Sequence, residues 1–369
     1  RHSIDFFANE YQNFYFDIHE YFEAAEYFQD NSTKIVDHQP SLITNSYTQD
    51  TNRWFLNREL ISSITNIIPA YKSIQWAHDN FQKDIPLIDK AMIRSNPDYY
   101  LNPKLNPFTL YQRPTSGTSG RPLTIYYPID YFFHAQYRYL LDIASHADLL
   151  EQEMLDRPIL CIHIINHKYL KEQFWADPSD LSGFCLRVVI NESDEKSITR
   201  VFDLISFFQP SIISLCPAIL STISLYLQKN PLTLDSYVKL IVSGGSELNP
   251  DFRIKLQDLL HIPIINMYGM TEIGIIASEC RLQDGLHIFE HNLIAEIRDQ
   301  SGDIHPTGYG ELIASTVTNI AMPLLHYCTG DYVEIVDTPC ACGLHTKLIK
   351  NLFGRVVNPF IFRDGTHFA

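Results

Sequence analysis

The chain has 369 residues, more than the roughly 100–200 of a typical single domain, so two or three subdomains are expected rather than one compact core. With 28 basic and 43 acidic residues the formal net charge is −15, which disfavours binding to nucleic acid or to an anionic membrane through phosphates. Apolar residues at 45% and charged residues at 19% exclude the composition of a disordered chain.

No stretch approaches the roughly 18–20 apolar residues of a membrane-spanning helix, and the start, Arg1-His2-Ser3-Ile4-Asp5, has no apolar signal core, so a cytoplasmic location is expected. Seven cysteines in such a chain suggest reduced thiols or a metal site rather than a disulfide framework.

Residues 1 to about 110 read as a helical N-terminal region, with Trp54, Leu60, Ile64, Ile67 and Ile68 at three- and four-residue intervals. From Pro158 the texture changes. Short apolar runs at Ile159–Ile164, Phe184–Ile190, Ile212–Leu215, Leu240–Val242 and Ile262–Ile265 predict strands, and Ser197–Phe208, Pro217–Gln228 and Asn249–Leu260 predict helices between them. That alternation predicts an α/β core at 111–275, a largely parallel sheet flanked by helices. Beyond it, Leu286–Phe289, Leu293–Ile297, Glu311–Ser315 and Tyr332–Val336, divided by turn residues, predict a small antiparallel β-subdomain at 276–355.

The segment Thr115-Ser116-Gly117-Thr118-Ser119-Gly120-Arg121 has the chemistry of a phosphate cradle. Glycines let the backbone approach an anion, hydroxyls and N–H groups donate to its oxygens, and Arg121 offsets charge. No Lys follows the second Gly, so it is not the phosphate loop of the common nucleoside triphosphatases. Three further segments follow in order: Val242-Ser243-Gly244-Gly245-Ser246-Glu247, Met267-Tyr268-Gly269-Met270-Thr271-Glu272, and His326-Tyr327-Cys328-Thr329-Gly330-Asp331, with Gly354-Arg355 near the end. Together they resemble the ordered signature of the adenylate-forming superfamily of acyl- and aryl-CoA ligases, adenylation domains and luciferases. Glu279-Cys280, Gly285-Leu286-His287-Ile288, Cys340-Ala341-Cys342-Gly343 and Phe362-Arg363-Asp364-Gly365 resemble the phenylacetate-CoA ligase group and its capsule-biosynthesis relatives.

The resemblance implies the large N-terminal domain of such an enzyme and a reaction in which a carboxylate attacks the α-phosphorus of ATP and pyrophosphate leaves. ATP and AMP would be bound by Thr115, Ser116, Gly117, Thr118, Ser119, Gly120, Gly244, Gly245, Ser246, Glu247, Met267, Tyr268, Gly269, Met270, Thr271, Asp331 and Arg355. Tyr268 is placed to stack on adenine, and Gly244 and Gly245 permit close approach of the backbone to the base. By resemblance Thr271 contacts the α-phosphate, Glu272 holds Mg2+ as a hard oxygen ligand, Asp331 accepts from the ribose hydroxyls, and Arg355 contacts ribose or phosphate. Glu272 and Thr271 are the catalytic candidates. Phe133, Tyr137, Cys216, Pro217, Ser243 and Gly274 are candidate walls of the acid pocket, and suit an aryl or short apolar acid. The acyl acceptor is CoA, a carrier-protein thiol or an amine.

Cys280, His287, Cys340 and Cys342 offer three thiolates and an imidazole, the ligand set of a closed structural Zn2+ site, although four unrelated turn side chains give the same sequence; the resemblance favours zinc. Cys328 stands where the family usually has Arg. The resemblance also implies a small C-terminal domain carrying a catalytic Lys. Residues 356–369 read as the start of the hinge, with that domain absent, and Val356 and Val357 replace the usual pivot Asp. Two readings stay open: an adenylating ligase, or a nucleotide-binding relative without catalysis.

Overall fold

The structure is a computed structural model. It describes residues 61–72, 84–115, 122–128, 142–147, 159–165, 173–176, 183–189, 195–230 and 236–355 apart from 291 and 317, with a few isolated positions besides. Expectations for residues 1–60, for Ser116–Arg121, for Phe133 and Tyr137 and for Val356 and Val357 lie outside the described residues. The described residues divide into two compact units, one within Phe133–Asn266 and one within Tyr47–Phe132 together with Met267–Ala369. Among the described residues no helix is long and apolar enough to cross a membrane.

In the second unit, residues 61–67 are helical, and a 3-10 turn at Pro69–Tyr71 buries Tyr71 completely. The phenol of Tyr71 donates to Pro323 O (3.3 Å) and accepts from Leu325 N (3.0 Å). Asp89 caps a short helix, Lys90–Ser95, by accepting from Met92 N at 2.8 Å. β1 (Leu110–Pro114) and β2 (Thr124–Pro128) then pair as an antiparallel hairpin around the Ser/Thr/Gly loop.

The first unit carries β3 (Ile159–Ile165), β4 (Gln173–Ala176), β5 (Gly183–Val189), β6 (Ile212–Leu215) and β7 (Leu240–Gly244). Their order is β4-β5-β3-β6-β7; all neighbours are parallel except β4, an antiparallel edge strand. The parallel order and the helices between the strands agree with the sequence expectation. Helix Glu195–Phe208 buries Ile198, Val201, Phe202 and Ile205, spaced as one face of a helix, against strand residues such as Ile213 and Ile241. Helix Pro217–Lys229 starts with Pro at its first position, where a missing N–H costs nothing. Helix Pro250–Leu260 is capped by Asn249, which accepts from Phe252 N at 3.0 Å, and stops at left-handed His261.

β8 (Ile264–Met270) begins in the first unit and ends in the second, and it runs through Tyr268 rather than stopping at Ile265. The second unit continues with β9 (Gly274–Glu279), β10 (Leu286–Ile288), β11 (Leu293–Arg298), β12 (Ile304–His305), β13 (Gly308–Thr316), β14 (Tyr327–Val336) and β15 (Leu348–Arg355). These form an antiparallel run in the order β12-β11-β13-β14-β15-β10-β9-β8. The segment before the Lys90 helix docks beside it: Ile88 N donates to His326 O (3.1 Å) and Cys328 N to Ile88 O (2.8 Å).

Candidate functional site

In the first unit the glycine segment follows β7. Leu215 and Ser243 are register partners, so the Cys216-Pro217 turn and the Ser243-Gly244-Gly245 turn leave adjacent parallel strands at their carboxyl ends, where ligands gather in α/β sheets. Gly245 has φ +87°, and a Cβ there would lie 3.9 Å from Cys216 Cβ. Ser243 is fully buried and its hydroxyl has no hydrogen-bond partner among the described residues. Four predicted residues, Cys216, Pro217, Ser243 and Gly245, are thereby brought to one edge, with Gly244, Ser246 and Glu247 following in the same turn.

In the second unit Tyr268, Asp331 and Arg355 lie on β8, β14 and β15. The phenol of Tyr268 donates to Asp331 Oδ2 at 2.7 Å, and Arg355 Nε donates to Asp331 Oδ1 at 3.3 Å. Asp331 and Arg355 are register partners on β14 and β15, which explains their proximity. Burial first, then the Asp331 carboxylate, pushes the Tyr268 phenol well above its ordinary range, so it stays protonated and a donor. Asp331 is held in turn by its own N–H, which donates to Thr329 Oγ1 (3.1 Å).

Past the end of β8, the Met270 to Gly274 turn presents Thr271 and Glu272. Tyr127 OH donates to Thr271 O at 2.5 Å, which ties β2 to this turn. Gly269 is required: a Cβ there would stand 2.7 Å from Gly274 O and 2.9 Å from Ile275 Cα. Gly274, with φ +96°, closes the turn in the left-handed region. Thr115 closes the mouth of the β1–β2 loop, its N–H donating to Leu123 O (2.8 Å) and its Oγ1 accepting from Leu123 N (3.0 Å).

Glu272 is 4% exposed, and its contacts carry a partner that sequence reasoning missed. Lys90 Nζ lies 3.0 Å from Glu272 Oε1, and Tyr327 OH donates to the same oxygen at 3.3 Å. Burial, then Glu272, drives the Tyr327 phenol upward, so it is a fixed donor. Glu272 Oε2 has no hydrogen bond or ion pair among the described residues. A carboxylate with one committed and one free oxygen fits a Mg2+ ligand. Lys90, Tyr327, Gly330, Arg298 and Arg355 line one cleft of about 460 Å³. Cys328 also lines it, but burial, then Glu311, pushes its thiol up to about 11, so it is an unreactive thiol.

The metal candidates are grouped. The ligand atoms of Cys280, His287, Cys340 and Cys342 all lie within 4.8 Å of one another. His287 is the register partner of Ser278, two positions before Cys280, which directly follows β9, and the loop between β14 and β15 supplies the two other thiols. Cys280 Sγ and Cys340 Sγ are 3.9 Å apart, and Cys342 Sγ is 3.4 Å from His287 Nε2. A tetrahedral ion with bonds of about 2.0–2.3 Å has donor–donor edges of roughly 3.3–3.8 Å, so these spacings fit Zn2+. His287 Nδ1 is 2.8 Å from Thr346 Oγ1, a hydrogen bond that leaves Nε2 toward the thiols. Burial lowers His287 to about 4, so the ring is neutral and a competent ligand at pH 7. Thr346, like Lys90, carries no motif that singles it out; Tyr327 lies within the segment that ends at Asp331, which does not mark it as a partner of Glu272.

A family model for AMP-binding enzymes matches residues 72–318. Among curated proteins the chain is 30% identical over 166 residues to phenylacetate-coenzyme A ligase of Thermus thermophilus, covering 43% of this chain and 37% of that protein. It is 28% identical over 172 residues to the Aromatoleum evansii protein of the same name, covering 44% and 38%. The matches thus span well under half the length of these relatives. Among solved structures, 2-hydroxyisobutyryl-CoA ligase in an open conformation, in complex with 2-HIB-AMP and CoA, aligns with a TM-score of 0.65 at 13% identity over 89% of this chain and 82% of that one. A post-adenylation structure of the same ligase gives 0.65 at 13% identity, over 89% and 74%. At that identity the likeness is one of fold. The family match covers well over half of the sequence, and this chain belongs to the AMP-binding enzyme family.

Proposed function

We propose that the protein uses ATP to activate a carboxylic acid as an acyl-adenylate, which is then passed to CoA. The observation that carries this reading is that Tyr268, Asp331 and Arg355 meet, within the same compact unit as a buried Glu272 that has one carboxylate oxygen without a hydrogen bond among the described residues. The substrate carboxylate attacks the α-phosphorus, the bond from that phosphorus to the bridging oxygen breaks, and pyrophosphate leaves with the electron pair. The reaction needs positioning and charge neutralisation rather than a protein nucleophile.

The side chains divide that labour. Asp331, fixed by Tyr268 and Arg355, accepts from the ribose hydroxyls, and the Tyr268 ring, held at its hydroxyl end, stacks on the base. Gly244 and Gly245 admit the base to the backbone. Thr271 donates to the α-phosphate, and the hydroxyl loop from Thr115 to Gly120 with Arg121 cradles the departing phosphates. Mg2+, held through Glu272, neutralises phosphate charge when bound. Cys280, His287, Cys340 and Cys342 hold a structural Zn2+, because four protein ligands leave no open position for substrate.

An aryl acid is preferred. Phe133, Tyr137, Cys216, Pro217, Ser243 and Gly274 line its pocket in this reading, and the curated relatives are named for phenylacetate. A carrier-protein thiol or an amine is the competing acceptor. A panel of aryl and short aliphatic acids, scored by acid-dependent pyrophosphate release with ATP and Mg2+, tests the proposal. The expected result is strongest release with an aryl acid and thioester formation on adding CoA.

A further inference from the structure

Lys90 is an unusual cation. It occupies the first position of the helix Lys90–Ser95, the positive end of the helix dipole, where the first turn holds no acidic residue and a cation is disfavoured. Its helix is nonetheless pinned: Asp89 caps it, and the residue before that cap, Ile88, is hydrogen-bonded to the His326 and Cys328 backbone at the start of β14. The ammonium reaches Glu272 Oε1 at 3.0 Å and leaves Oε2 without a hydrogen bond or ion pair among the described residues. Lys90 thus neutralises a carboxylate that is 4% exposed, which would otherwise be a costly unpaired charge.

The strand β14 gives the position of this pair relative to the nucleoside end. Tyr327, which shares Glu272 Oε1 with Lys90, and Asp331 are four residues apart on β14 and both buried, with a register shift and a left-handed Gly330 between them. Lys90 and Arg355 line the same cleft, Arg355 beside Asp331 and Lys90 beside Glu272. With the ribose on Asp331 and the phosphates toward Glu272, as the proposed function has them, one cation stands at the sugar end and the other at the tail.

We propose that Lys90 is a catalytic residue whose Nζ binds the pyrophosphate half of ATP, and that its ion pair with Glu272 is the resting position of the same group. Once released from Glu272, which would then hold the metal, the ammonium donates to β- and γ-phosphate oxygens and offsets charge as the bond to the α-phosphorus breaks. This rests on the adenylation reading above and adds a residue to it.

Direct titration of the whole chain with ATP and, separately, AMP, both with Mg2+, tests the assignment without turnover. Lys90→Gln should weaken ATP at least tenfold and AMP less than twofold, and Lys90→Arg should recover most of the ATP affinity. Retained AMP affinity shows that the variant is folded. An unchanged ATP affinity, or equal losses for ATP and AMP, overturns the role of Lys90 and leaves the adenylation reading intact. A parent protein that binds neither nucleotide overturns both.

Discussion

Tyr268 and Asp331, 63 residues apart, meet in a 2.7 Å hydrogen bond in which the phenol donates to Oδ2. The carboxylate is thereby oriented before any nucleotide arrives, and the aromatic ring is fixed at its far end. Tyr268→Phe keeps the ring and removes the donor. A hydrogen bond to a charged group contributes about 1.5 kcal/mol at the low end, so nucleotide affinity should fall about tenfold with little change in melting temperature. Calorimetric titration with AMP checks both parts.

Glu272→Gln preserves size and removes the charge that faces Lys90 and, in the proposed function, holds Mg2+. The Mg2+ concentration for half-maximal turnover should rise by about tenfold or more, while nucleotide affinity falls less. Turnover measured across free Mg2+ decides it. A variant with the parent's metal dependence contradicts the role given to Glu272.

The Cys280, His287, Cys340 and Cys342 cluster should carry one zinc per chain. Zinc–thiolate bonding contributes folding free energy directly, so Cys342→Ser should lose the metal and lower the melting temperature by about 5 °C or more. Elemental analysis and thermal melting with a strong chelator provide the measurement.

The same cluster sets a pH window. Burial lowers His287 from 6.5 to about 4, so the unfolded chain takes up that proton first as pH falls. Its contribution to stability is therefore present above about pH 6.5 and is lost as pH falls toward about 4. In zinc-stripped protein, unfolding free energy should drop across that interval, and His287→Gln should flatten the drop.

Gly269 lies between Tyr268 and the Thr271–Glu272 turn. Gly269→Ala forces a Cβ to within 2.7 Å of the Gly274 carbonyl oxygen, backbone that cannot swing aside. Destabilisation of about 1–3 kcal/mol is expected, with weakened ATP binding, read by denaturant unfolding and titration.

Much of this arrangement is legible in the sequence where side-chain pattern and local geometry coincide. Runs such as Ile212–Leu215 and Leu240–Val242 appear as β6 and β7, and the helix over Asn249–Leu260 begins and ends where its cap and apolar spacing require. The metal candidates are visible by ligand chemistry together with the family resemblance that favours zinc over four unrelated turn side chains. β9 is hidden because only Thr271, Glu272 and Ile273 separate it from β8. β15 is hidden because two register shifts against β14 break its alternation and leave Leu352 and Phe353 exposed. β4 has four residues at a sheet edge, too few to show a pattern. Lys90 escapes because its significance lies in a carboxylate 182 positions later, and no local period encodes a contact made when Ile88 docks beside Tyr327.

Isotope exchange between pyrophosphate and ATP, in the presence of Mg2+ and one carboxylic acid at a time, tests acyl-adenylate formation most directly. The account predicts exchange that depends on the acid, is strongest with an aryl acid, and collapses in Glu272→Gln at limiting Mg2+. Tight ATP binding with no acid-dependent exchange across the panel would instead mark a nucleotide-binding protein without the adenylation step.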